Sequence, residues 1–296
     1  MTSLKTRYLI FFQYIGTKYR GVVKIPSTHP VLGVENYLEK ATEALCPSVP
    51  CKFTISSRTD SGVHALCNSA HFDVERPEGL SPFSEEALVR TLNKALRPEP
   101  IHILAARRVP RSFHARFSAL SRTYVYRLVT GSSHRSKLPV FEWNLCWDIA
   151  GSHLNWSAMQ EAAMFLVGSH DFSTFRSANP DMPFKNPLRT LSCLKIRPAS
   201  SFLTHHCLDS DLRFWEMEMT SPSFLYKQVR RIAGVLVAVG QNRMQPYHVK
   251  ELLEAKHLMA YPANTIAPAK GLFLKEVEYC ESDLVMEQTK SEEQPD

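Results

Sequence analysis

An α+β fold is what this sequence predicts: two ferredoxin-like βαββαβ halves whose antiparallel sheets join side by side around a central basic cleft. Three observations lead there. Apolar residues switch between period two and the helical period in the order strand, helix, strand, strand, helix, strand, and the second half of the chain repeats that order. An arginine-rich stretch without Asp or Glu, Ile101 to Phe141, spans the junction of the two halves. The chain has 296 residues, 44% of them hydrophobic, enough for two packed units of ordinary globular composition.

The elements of the first half follow in order. Arg7 to Tyr14 is rich in aromatic and β-branched residues and predicts a strand. From Gly33 to Leu45, the residues Val34, Tyr37, Leu38, Ala41 and Leu45 fall on one helical face. Lys52 to Ser57 and Asn68 to Val74 read as strands. Ser84 is placed to cap a helix with Glu85 and Glu86 in its first turn, and Pro98 stops it. Ile101 to Val109 is again extended.

The second half opens with a strand from Arg122 to Thr130, where Tyr124, Tyr126 and Leu128 alternate with other residues. Trp156 to Val167 reads as a helix, with Ser152 and Ser157 near its start and Gly168 past its end. Arg189 to Arg197 and Leu212 to Thr220 are expected strands. Phe224 to Val239 reads as a long helix stopped by a C′ glycine, Gly240. A further helix covers about Pro246 to His257, and Leu272 to Tyr279 is the last strand. The boundaries expected are residues 1–110 for the N-terminal half, 111–280 for the C-terminal half, and 281–296 for a disordered acidic tail.

The formal charge of +6 says less than its distribution. The acid-free stretch carries Arg107, Arg108, Arg111, Arg116, Arg122, Arg127, Arg135 and Lys137, with Phe113, Phe117, Tyr124 and Tyr126 among them. Arginines bind phosphates and aromatic rings stack on bases, so this mixture suits a folded RNA. The seven cysteines are odd in number and form no C-x-x-C. With no signal peptide and no long apolar span, a reduced intracellular compartment and no membrane are expected. His205-His206-Cys207 has no second ligand pair at usable spacing, so no metal is expected. Basic residues precede the first acidic one, Glu35, which favours a mitochondrion over nucleus or cytosol, although the strand near Arg7 leaves little room for a presequence.

The densest chemistry lies in Arg58-Thr59-Asp60-Ser61-Gly62-Val63-His64-Ala65, between two expected strands. A lone carboxylate on a tight turn can act as a nucleophile, or can bond its own backbone as a turn residue. This octet closely resembles the R-T-D-x-G-V-H-A signature of the TruA family of tRNA pseudouridine synthases, and the resemblance runs from Tyr8 to about Tyr279. It implies the pseudouridine synthase fold and a reaction in which Asp60 is the nucleophile, attacking either C1′ of the ribose or C6 of the base. In Phe224 to Gly234, Arg230 matches the family arginine that pairs with that aspartate. Ser121 to Tyr126 resembles the R-x-Y-x-Y strand, whose first tyrosine, here Tyr124, contacts the target base. Tyr126 shares its parity, so pattern alone does not separate the two.

Arg58 matches the arginine that fills the space of the flipped-out nucleotide. Phe113, His114, Arg116 and Phe117 match the F-H-A-R-F RNA-contact segment. Arg176 closes a G-x-x-D-F-x-x-F-R element, after which a proline-rich loop runs to Pro187. The resemblance implies tRNA as partner, a uridine of the anticodon arm as target, no cofactor, and allows a homodimer. Departures are Ser61 after the aspartate, and Val22-Val23-Lys24 and Glu35 where the family carries glutamines. Two rivals remain at this stage: a non-catalytic RNA-binding protein on the same fold, and a hydrolase with an aspartyl nucleophile.

Overall fold

In the computed structural model of the chain, residues 5–131, 138–149, 153–178, 186–200 and 212–286 are described. Among them the first half consists of β1 (Lys5–Tyr14), α1 (Val34–Thr42), β2 (Phe53–Ile55), β3 (His64–Glu75), α2 (Glu85–Ala95) and β4 (Ile101–Arg108). The second half opens with β5 (Ala119–Thr130), β6 (Trp147–Asp148), α3 (Trp156–Met164) and β7 (Gly168–Asp171). It continues with β8 (Leu188–Leu191), β9 (Cys193–Ala199), β10 (Arg213–Ser221), α4 (Gln228–Gly240), α5 (Pro246–Ala255), β11 (Leu272–Tyr279) and α6 (Glu281–Leu284).

The fold is mixed α+β around one mostly antiparallel sheet. Among the described residues its path runs β4-β1-β3-β11-β5-β10-β9, with β2 added on β3 and β6 on β5, while β7 and β8 form a separate pair. The first-half strands are ordered β4-β1-β3-β2 and the second-half strands β11-β5-β10-β9. The seam between them is a short parallel pairing of Phe273 with His64 and Leu274 with Ala65. It begins one residue after the turn that carries Asp60.

Strand parity sorts the core. Tyr8, Ile10, Phe12 and Tyr14 of β1, and Tyr124, Tyr126 and Leu128 of β5, join one buried cluster with residues of α1 to α5. Leu9, on the other face of β1, packs instead with Val109, Phe113, Ala115 and Leu284. The expected disordered tail therefore begins with a helical turn docked by Leu284. Residues 287–296 lie outside the described set, as do His205-His206-Cys207, Arg135, Lys137, Ser152 and most of the proline-rich loop.

Several expected boundaries differ. The β3 strand starts at His64 rather than Asn68, which shortens the turn before it. Asn155, not Ser157, caps α3: its side chain accepts from the Ala158 amide at 3.1 Å. Gly168 belongs to β7. The expected strand over Arg189 to Arg197 is two strands, because at Ser192 the chain changes partner from β7 to β10. The α4 helix starts four residues late: Lys227 takes the left-handed conformation at φ 59°, and the Gln228 side chain accepts from the Leu225 amide at 2.8 Å. Gly240 is the last residue of α4, not a C′ glycine, and lies against Met159.

Candidate active site

The turn holding Asp60 is fixed from several sides. The Val63 amide donates to the Asp60 carbonyl at 3.1 Å, closing a turn in which Gly62 has φ +78°. A side chain would be strained there. The preceding segment packs against Tyr19 to Val22. Val22 donates from its amide to the Thr59 carbonyl, and Gly62 donates to the Tyr19 carbonyl, both at 3.3 Å. At Gly21, φ +81°, a Cβ would sit 2.4 Å from the Thr59 carbonyl oxygen. Only glycine permits that approach.

Buried polar groups complete the frame. Tyr14 and Thr59 share a hydroxyl hydrogen bond at 2.7 Å, and Asn68 Nδ2 donates to the Ser57 carbonyl at 3.0 Å. The Gly16 amide donates to His64 Nδ1 at 3.0 Å, so a neutral His64 carries its proton on Nε2. Its ring stacks on Phe273 across the seam, with centroids 4.6 Å apart.

Arg230 reaches this turn from α4. Its Nη1 donates to Asp60 Oδ2 at 3.1 Å and its Nε to the Ala267 carbonyl at 2.9 Å. Both side chains are largely withdrawn from solvent, 14% and 20% exposed. The two groups meet through this one nitrogen and one oxygen rather than as a bidentate fork. The tie to Ala267 turns the guanidinium away from a parallel approach to the carboxylate. Oδ1 of Asp60 thus has no protein donor among the described residues.

The two tyrosines that parity left equivalent part company here. The Tyr124 hydroxyl shares a 2.9 Å hydrogen bond with Ser57 Oγ, two residues from Thr59, and Phe224 meets its ring edge-on at 5.2 Å. The Tyr126 hydroxyl is used up on the Pro268 carbonyl at 2.8 Å. Burial raises the Tyr124 phenol to about 12, with Asp60 pushing in the same direction, so it stays protonated at neutral pH.

The expected RNA contacts divide. Arg58 is exposed beside the turn. Phe113 is 2% exposed and belongs to the small core with Leu9 and Val109, so its ring is out of reach of a ligand. Phe117 is 77% exposed and stacks on His114 with centroids 4.3 Å apart. The Arg116 guanidinium carbon lies 5.7 Å from the Phe117 ring centre. Arg176 is half-buried next to Ser177, whose hydroxyl accepts from Arg231 Nη1 at 3.4 Å. Arg231 also donates to the Thr174 carbonyl at 3.1 Å and stacks on Tyr261.

The basic stretch is more structural than its composition implied. Arg127 pairs with the buried Glu142 at 3.0 Å, Arg107 pairs with Glu281 at 3.0 Å, and Arg122 is buried. Arg111 Nη2 donates to the Lys5 carbonyl at 3.0 Å, which leaves Arg116, beside the exposed Phe117 ring, as the arginine of this stretch nearest an open aromatic surface among the described residues. Among the described residues no three His, Cys, Asp or Glu side chains converge as a metal site, and no helix is long and apolar enough to cross a membrane.

One group the sequence did not flag is His71, mid-strand on β3. Its Nδ1 accepts from the Ala115 amide at 3.0 Å and so anchors the turn that carries Arg116. Burial first, then the charges of Arg7 and His114, lowers its pKa from 6.5 to about 4. The folded value lies below the unfolded one, so the unfolded chain takes up the proton first. The stability conferred by neutral His71 is whole above pH 6.5 and is lost as pH falls towards 4. The slope is at most ~1.4 kcal/mol per pH unit. Urea midpoints measured from pH 7 to 4 are expected to fall less steeply for His71→Asn than for the parent; parallel curves would acquit His71.

A family profile described as tRNA pseudouridine synthase matches residues 162–280. The tRNA pseudouridine synthase-like 1 of Xenopus laevis is 55% identical over 96% of this chain and 95% of its own length. The human protein of that name is 50% identical over 94% of this chain and 91% of its own. The tRNA pseudouridine synthase A of Hyphomonas neptunium is 34% identical over 92% of this chain and 98% of its own.

Proposed function

Because this chain belongs to the TruA family of tRNA pseudouridine synthases, we propose that it isomerises a uridine in the anticodon arm of tRNA, with Asp60 as the nucleophile. The observation that carries this reading is the asymmetry of the Asp60 carboxylate. Arg230 engages Oδ2 and holds the group in place, while Oδ1 is left to attack. The reaction breaks the bond from uracil N1 to ribose C1′, turns the base and rejoins it through C5, which then gives up its proton while N1 takes one up. Atoms and electrons balance within the nucleotide, so the chemistry asks for a nucleophile, a pocket that retains the base and a proton acceptor. Oδ1 attacks C1′ or C6; both routes use the same carboxylate.

Tyr124 is the group that contacts the base. As a neutral phenol on Ser57 it can stack on uracil and relay a proton by exchanging hydrogen-bond partners. Extruding a base from a stacked stem costs a few kcal/mol, and a guanidinium plane placed in the gap offsets part of it. Exposed Arg58, beside Asp60, is the residue we assign to that task. We assign Phe117 on His114 as an exposed stacking surface and Arg116 as a phosphate contact, with Phe113 as its buried support. Arg176 extends the footprint. We also read the two halves as related ferredoxin-like units, residues 1–110 and 111–280, with the site on their seam.

Site-resolved pseudouridine mapping of tRNA from cells with and without the protein, in separated organelle fractions, tests the activity, the anticodon-arm target and the mitochondrial expectation together. Loss of one anticodon-arm pseudouridine is expected, and an unchanged map would remove the proposal. For the footprint, Arg116→Ala is expected to flatten the salt dependence of tRNA binding by about one unit of slope. Titrations at several salt concentrations check this; an unaltered slope would mean Arg116 touches no phosphate.

A further inference from the structure

Arg122 sits in the acid-free stretch where sequence places phosphate-binding arginines, yet the fold buries it, and among the described residues its guanidinium donates to carbonyl and hydroxyl oxygens and to no carboxylate. Instead its guanidinium is surrounded by oxygens of three separate segments. Nη2 donates to the Arg116 carbonyl at 2.7 Å, in the turn that presents Phe117. The same nitrogen reaches the carbonyl and hydroxyl of Ser56 at 3.4 Å, at the entry to the Asp60 turn. Nη1 donates to the Pro222 carbonyl at 2.7 Å, two residues before Phe224, and to the Ala119 carbonyl at 3.3 Å. Phe224 is the ring that meets Tyr124 edge-on.

A buried cation satisfied only by neutral oxygens is costly to desolvate, and an apolar side chain could fill the same volume. What the guanidinium supplies is direction: a rigid planar fork that fixes several acceptors relative to one another, which a lysine on a flexible stem does not. We infer that Arg122 is a positioning residue, a clasp that sets the Phe117 turn, the approach to Asp60 and the Phe224 wedge on Tyr124 in a single register. The inference rests on the proposed site at Asp60 and Tyr124, but assigns Arg122 itself no contact with RNA.

The test is Arg122→Lys, which keeps the charge and removes the fork. Single-turnover isomerisation at saturating enzyme is expected to fall at least about tenfold while tRNA Kd moves less than about threefold. Amide hydrogen exchange is expected to quicken at Phe117, Ser118, Ser223 and Leu225 and to stay unchanged in β1 and β3. The double variant with Phe224→Leu is expected to lose no more rate than the worse single variant. A weakened Kd at unchanged rate would make Arg122 a binding residue. A rate loss that only tracks the unfolded fraction, a chain that does not fold, additive losses, or unaltered exchange would each overturn the positioning role. Exchange needs no turnover, so a parent protein that forms no pseudouridine would refute the functional reading while leaving the clasp to be judged on its own.

Discussion

Asp60→Asn is expected to abolish pseudouridine formation while tRNA affinity stays within about tenfold, ~1.4 kcal/mol. The substitution keeps the shape of the side chain and an oxygen able to accept from Arg230, so the turn and its ties to Tyr19 and Val22 persist. What it removes is the anionic oxygen to which the proposed reaction assigns the covalent bond. Since the side chain is one-fifth exposed at the base of the site, it contributes little to gripping the RNA. A single-turnover assay against site-resolved mapping reads the first outcome and a binding titration the second. Full activity in this variant would dispose of the nucleophile, and loss of binding without loss of rate would place Asp60 among the RNA contacts.

Arg230→Leu carries the second large effect. Three consequences follow from one change: Oδ2 loses its donor, the carboxylate loses its neighbouring charge, and the Ala267 carbonyl loses the Nε contact. Turnover is expected to fall by at least about 100-fold, ~2.7 kcal/mol of barrier. Stability is expected to fall by ~1–3 kcal/mol, because removing one partner leaves buried polar groups unpaired. Arg230→Lys should recover part of the stability and little of the rate, since one ammonium cannot serve both acceptors. Kinetics paired with urea denaturation separate the two losses. A Leu variant with parent-like turnover would show that the ion pair is architectural.

Much of this site was legible in the sequence, and for definite reasons. The octet around Asp60 carries its own turn chemistry, with Gly62 where φ must be positive. The cap at Ser84 and the final strand from Leu272 to Tyr279 were placed by local signals that the tertiary structure does not disturb. The failures share a cause. Periodicity tells which side of an element a residue occupies, not what waits there. Phe113 and Phe117 look alike in the chain, and one is core while the other is bare. Arg122 reads as a surface cation, and two of the segments that supply its acceptors, at Ser56 and Pro222, are distant in the chain and leave no mark in composition. The apolar spacing of Phe224 and Leu225 continues the helical rhythm of α4, but Lys227 interrupts it. The strand over Arg189 to Arg197 was split by a change of pairing partner that only the assembled sheet dictates.

The hydrogen-bonded weld between Phe273 and His64 has a mechanical corollary. Because one sheet spans both halves, the proposed reaction assigns the distortion to the RNA rather than to a movement of one half against the other. Substrates whose loops are already frayed should then react faster than well-stacked ones, because they arrive with part of that deformation done.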